Sequence, residues 1–109
     1  MIRIQTSQLA VLPGNIRANF AHILEEIKID LLIFPELCLS GYMIGDLWEQ
    51  PAFLRECKNY GKKIAEASQH ITIIFGNIAI DGDKKNRDGR PRKYNAAFVA
   101  SDGVFLRGQ

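Results

Sequence analysis

The apolar residues of this sequence fall into clusters whose internal spacing changes along the chain. Ile2, Ile4 and Leu9 alternate loosely with polar neighbours, which predicts a first strand over residues 2–9. Pro13-Gly14-Asn15 interrupts that pattern. Asn15 suits a helix N-cap, because its side chain can accept from an otherwise free N–H of the first turn. Ile16, Phe20, Ile23, Leu24 and Ile27 then recur at helical spacing as one apolar stripe, with Asn19, His22, Glu25, Glu26 and Lys28 mostly off it. Leu31 to Phe34 is an unbroken apolar run, the pattern of a strand covered on both faces. Strand, helix and strand in this order have the size of a βαβ unit with parallel strands.

Pro35 stops the ladder, since it has no N–H to donate. Glu36 follows at once, a carboxylate delivered to a strand end among Phe34, Leu37 and Leu39. Burying such a group without partners is costly, so it must shift its pKa, pair with a cation, open into a cleft, or simply sit on the surface of a strand-to-loop turn. Residues 40–51 read as a loop, with Tyr42, Met43, Leu47 and Trp48 as large apolar anchors. Pro51 suits the first turn of a second helix, whose inner face carries Phe53, Cys57, Gly61, Ile64 and Ser68. Residues 71–80 read as another interior strand, and residues 94–100 as the next. Between them, residues 81–93 hold six basic and three acidic side chains and no large apolar residue. That predicts a flexible hairpin loop; a phosphate-binding or nucleic-acid-binding loop is the alternative, though no aromatic residue interleaves the charges. Asp102-Gly103 favours a tight hairpin into a last strand over residues 104–106.

Composition leaves this picture unchanged. The 109 residues are 47% hydrophobic and 24% charged with a net charge of +2, an ordinary globular balance for one domain spanning residues 1–109. Neither a nucleic-acid partner nor a membrane partner is indicated by that charge, and no apolar run reaches the length of a bilayer span. Cys38 and Cys57 do not make a disulfide framework, so a reducing, cytoplasmic setting is expected. His22, His70 and the two cysteines lack zinc-ligand spacing, and Gly76 and Gly82 stand alone rather than in a phosphate loop.

Phe34-Pro35-Glu36-Leu37, Ser40-Gly41-Tyr42 and Asp46-Leu47 together resemble the first catalytic segment of the carbon–nitrogen hydrolase (nitrilase) superfamily. Gln8-Leu9, Gly14-Asn15-Ile16 and Tyr94-Asn95-Ala96-Ala97 fall in the matching order, so the resemblance spans nearly the whole chain. It is nearest to the N-terminal glutaminase domains of glutamine-dependent NAD synthetases. The resemblance implies an α/β fold, a four-layer α-β-β-α sandwich of which this chain is a truncated, N-terminal part. It also implies a Glu–Lys–Cys catalytic set acting on glutamine, in which Glu36 is the general base; Tyr42 either lines the glutamine pocket or packs under its loop. Cys38, Cys57, Lys84, Lys85 and Lys93 do not match the family's cysteine and lysine. The chain alone is therefore expected not to hydrolyse glutamine, to need no cofactor of its own, and to self-associate as a homo-oligomer through uncovered strands. ATP and Mg²⁺ are expected only for a synthetase domain outside this sequence. Another nitrilase-type amidase or carbamoylase, or a non-catalytic α/β interaction module, are the competing readings.

Overall fold

In a computed structural model, which describes residues 2–27 and 30–106, the sequence forms one five-stranded sheet with two helices on one face. The readings placed on Lys28 and on residues 107–109 lie outside the described residues. The elements are β1 (Ile4–Thr6), α1 (Ile16–Glu25), β2 (Leu31–Ile33), α2 (Pro51–Glu66), β3 (Thr72–Lys85), β4 (Pro91–Ser101) and β5 (Val104–Phe105), with a 3₁₀ turn at Gly45–Glu49. Strand order follows chain order: β1, β2 and β3 run parallel, while β3, β4 and β5 run antiparallel. The βαβ reading of the first crossover holds, and the second crossover, through α2, is also parallel.

The helix boundaries follow from the residues that were expected to set them. Asn15 caps α1, its side chain accepting from the Ala18 N–H at 3.1 Å, and Pro51 occupies the first turn of α2. Ile16 and Ile23 of α1 are buried, as are Phe53, Cys57, Gly61, Ile64 and Ala65 of α2. At the β4–β5 connection Asp102 and Gly103 both take positive φ, 52° and 84°, which is the twist a two-residue hairpin demands.

Three expectations need correction. The first strand covers Ile4–Thr6 rather than residues 2–9, because only those residues pair with β2. Residues 81–93 are not a loop: β3 runs on to Lys85 and β4 starts at Pro91, leaving a short turn at Asn86–Arg90. Part of the charge that suggested a loop is internally matched. Lys93, its side chain only 4% exposed, donates to Glu49 Oε2 at 2.7 Å, and Arg90 approaches the same oxygen at 3.4 Å. Those contacts tie the ribbon to the 3₁₀ turn, so the pattern of charge was that of a strand pair with a partner distant in sequence. Residues 40–51, read as a loop, contain that turn.

The third correction concerns the strand faces. Leu32, Ile73 and Ala100 stand in one row of the sheet, fully buried against the helices, with Phe75 and Phe98 in the next row of that side. The opposite rows hold Ile33, Ile74 and Val99, then Ile4, Leu31, Thr72, Ser101 and Val104. No element among the described residues covers this second face, where Ile4 and Val104 are 62% and 60% exposed. The central strands are therefore apolar on both sides but covered on one. The molecule measures 50 × 28 × 17 Å, and its short axis has room for one helix layer and one sheet layer.

Where α1 meets the chain segments flanking it, a single buried amide does the joining. Asn19 is 1% exposed; its Nδ2 donates to the carbonyls of Leu39 (2.7 Å) and Leu12 (2.9 Å), and its Oδ1 accepts from the Leu12 N–H (2.8 Å). Asn19→Ala removes three bonds and strands their main-chain partners in the interior. The expected loss is about 2–4 kcal/mol, measured as a lower urea midpoint with an unchanged slope.

Candidate active site

Beyond Ile33 the ladder continues for two more bonds, the Phe34 N–H donating to the Ile74 carbonyl at 2.8 Å and the Gly76 N–H to the Pro35 carbonyl at 3.3 Å, and then the chain turns. Here the main chain of Glu36 and Leu37 lies directly on β3. A Cβ added at Gly76 would stand 2.3 Å from the Leu37 nitrogen and 2.5 Å from the Glu36 Cα, so no side chain fits at that position. Leu37 takes φ 45°, a left-handed conformation that costs a residue with a Cβ about 1–3 kcal/mol. Two bonds hold it: the Gly41 N–H donates to the Leu37 carbonyl at 2.9 Å, and the Tyr42 hydroxyl donates to the Glu36 carbonyl at 2.7 Å.

This geometry lifts Glu36 onto the helix-free face. Its carboxylate is neither sealed in the core nor paired with a cation; the residue is exposed, and its Oε2 accepts from Asn95 Nδ2 at 2.7 Å. Phe34, Glu36, Ile74, Gly76, Asn95, Ala96 and Ala97 line a hollow of about 260 Å³ there. Of the outcomes open to a carboxylate at a strand end, the cleft is the one realised. Leu39, in contrast, is fully buried and does not line the hollow.

Tyr42 stays outside that hollow. Its ring is 40% exposed while its hydroxyl holds the Glu36 main chain, and partial desolvation together with the nearby Glu36 carboxylate raises the phenol above its usual 10.0. Cys38 Sγ is buried and donates to the Gly76 carbonyl at 3.6 Å. Burial pushes the Cys38 thiol up to about 11, and burial with the neighbouring Glu56 charge pushes Cys57 up to about 12. Neither is a thiolate at neutral pH. Among the described residues no three metal-ligating side chains come together, and no helix is long and apolar enough to cross a membrane.

In the sequence Asn95 stands within the Tyr94-Asn95-Ala96-Ala97 motif and Gly76 is an isolated glycine, and neither by itself signals its role at Glu36. Their signal was size. Gly76 pairs with Ala97, so small residues replace bulky ones on a face where the same two strands carry Ile74 and Val99. That substitution opens the hollow and leaves the Asn95 amide free to reach across it.

No family model matches the chain. The fold is that of the nitrilase superfamily, of which the described residues form one helix layer and one sheet. A crystal structure of an amidase from Nesterenkonia sp. superposes with a TM-score of 0.75 at 18% identity, over 97% of this chain and 41% of that one. A glutamine-dependent NAD(+) synthetase from Cytophaga hutchinsonii superposes with a TM-score of 0.79 at 24% identity, over 95% of this chain and 18% of that one. In sequence, the chain is 34% identical to the glutamine-dependent NAD(+) synthetase of Thermotoga maritima over 113 aligned positions, which span 96% of this chain and 18% of the relative. The chain is thus a homologue of part of the glutamine-dependent NAD(+) synthetases, and it spans about a fifth of their length.

The two thiols offer a direct check on the packing around this site. Both ionise above the ordinary 9.0, so the native chain should resist a disulfide reagent at pH 8 and react fully once unfolded in guanidinium. The folded state holds these protons more tightly than the unfolded chain does. Stability should therefore be untouched by them below pH ~9 and fall as pH rises through about 11, read as a dropping thermal midpoint.

Proposed function

We propose that this chain is the first part of a glutaminase domain that releases ammonia from glutamine for the amidation of deamido-NAD. In this reading Glu36 is the general base. It takes the proton from a cysteine thiol, and the thiolate attacks the carboxamide carbon of glutamine. The proton returns to the amide nitrogen so that ammonia leaves the tetrahedral intermediate; the glutamyl thioester that remains is hydrolysed by water to glutamate. The thiol, and the lysine that stabilises the oxyanion, come from residues outside this sequence that pack on the uncovered sheet face. Tyr42 acts on the base from outside the hollow, its hydroxyl holding the Glu36 carbonyl. ATP and Mg²⁺ serve the amidation step in a separate region, and no residue of this chain is assigned to them. Two free, buried thiols support a cytoplasmic setting.

One observation carries the proposal: the Glu36 carboxylate is held by Asn95 at a hollow on the face that lacks a second layer. A base must meet its nucleophile within hydrogen-bond reach in a site that can be closed to water, and this is where a closing layer would fall.

The test uses the complete polypeptide that carries this sequence. Glu36→Gln should lower glutamine-driven NAD formation and glutamate release about 100- to 10,000-fold, while formation from ammonium salts keeps its rate. The melting temperature should hold, because a glutamine oxygen still accepts from Asn95. Equal loss with both nitrogen sources contradicts the proposal, and amide hydrolysis without NAD formation favours the amidase reading.

The 109 residues alone leave an apolar sheet face open to water, so by themselves they should form dimers or larger assemblies. Light scattering across a dilution series measures this; a monomer at every concentration counts against it.

A further inference from the structure

Away from the Glu36 hollow, a larger cavity of about 890 Å³ lies between α2 and the β3–β4 ribbon. Its size is that of pockets that enclose small molecules, roughly 300–1,000 Å³. Much of its lining is apolar: Leu54 from α2, Ile78 from β3, Phe98 from β4 and Phe105 from β5. The rim is basic. Arg55, Lys58 and Lys62 follow one another at spacings of three and four, which sets them on one flank of α2, and they form no ion pair among the described residues. Across the opening, Arg90 and Lys93 are already engaged by Glu49. The α2 flank therefore carries the uncompensated charge.

A second, independent feature belongs to the same wall. Asn77 is 3% exposed, and its Nδ2 donates to the Cys57 carbonyl of α2 at 3.0 Å. Gly61 makes room for that amide, since a Cβ there would come within 2.8 Å of Nδ2. The Asn77 Oδ1 is buried and has no hydrogen-bond partner. Buried acceptors are nearly always matched, so one orphaned beside a cavity marks a place for a donor from outside the chain. The amide cannot simply be turned over, because Oδ1 would then face the Cys57 carbonyl.

We propose that this cavity binds a small aromatic anion carrying an N–H group. The rings lie against Leu54, Phe98 and Phe105, the N–H is directed to Asn77 Oδ1, and the negative group meets Arg55, Lys58 and Lys62. Nucleobase phosphates and aromatic sulfonates or carboxylates share this chemistry. The site is distinct from Glu36 and independent of the glutaminase reading.

The probe is 1-anilinonaphthalene-8-sulfonate, which has fused rings, one N–H and one sulfonate; N-phenyl-1-naphthylamine is the same molecule without the charge. Titrated into the 109-residue chain, the sulfonate should bind saturably with blue-shifted emission and should shift the side-chain amide resonances of Asn77. Replacing Arg55, Lys58 and Lys62 together by Ala should weaken it at least about tenfold and leave the uncharged analogue within about twofold. Val104→Asp, on the uncovered sheet face, should change neither. Binding that follows Val104→Asp rather than the triple variant would place the probe on the open sheet and overturn the proposal. So would non-saturable binding, or Asn77 resonances that stay fixed while the probe binds.

Discussion

The arrangement rests on one main-chain contact, the seating of Glu36 and Leu37 against Gly76. Strand β3 is the hub of the sheet, bonded to β2 on one side and to β4 on the other. At Gly76 it loses its side chain, and the segment that leaves β2 settles into the gap. Three things then follow from one glycine. The chain can turn immediately after Pro35, Leu37 can be held in a left-handed conformation, and the Glu36 side chain emerges on the face that the helices do not cover. The carboxylate is placed by the backbone rather than by a bed of neighbouring side chains.

Buried polar groups do the rest of the positioning, each joining elements far apart in sequence. Asn19 bridges α1 to the segments at Leu12 and Leu39, Asn77 ties β3 to α2, and Lys93 pins the ribbon to the 3₁₀ turn through Glu49. Such bonds gain little net energy individually but are expensive to leave unmade, which favours one packing over its near alternatives. The helix-covered side is thus fixed by stitched layers, while the open side relies on the strand ladder together with the Asn95–Glu36 and Thr72–Ser101 side-chain bonds.

How much of this could be read in advance depended on the range of the interaction. The cap at Asn15, the start at Pro51, the apolar faces of both helices and the Asp102-Gly103 turn are local, and the sequence carries them within a few residues. The placement of Glu36 at a strand end was legible because a strand, a proline and a carboxylate stand side by side. Asn95 was not, since 59 positions separate it from the oxygen it binds. The ribbon was misread for the same reason: the partner of Lys93 is 44 residues away, so a locally charged stretch looked like solvent-facing loop. A continuous apolar strand was read as having cover on both sides, but periodicity records what a face can bury, not what lies upon it.

The distal ribbon has a consequence for how copies of this chain can meet. Past Ile80 the two strands carry Asp81, Asp83, Lys84, Lys85 and Arg92, the register slips between Asp81 and Lys85, and Pro91 withholds an N–H. Each device discourages a foreign strand from zipping onto the border of the sheet. The broad apolar face, rather than the ribbon's border, is thereby left as the surface on which a further layer can stack.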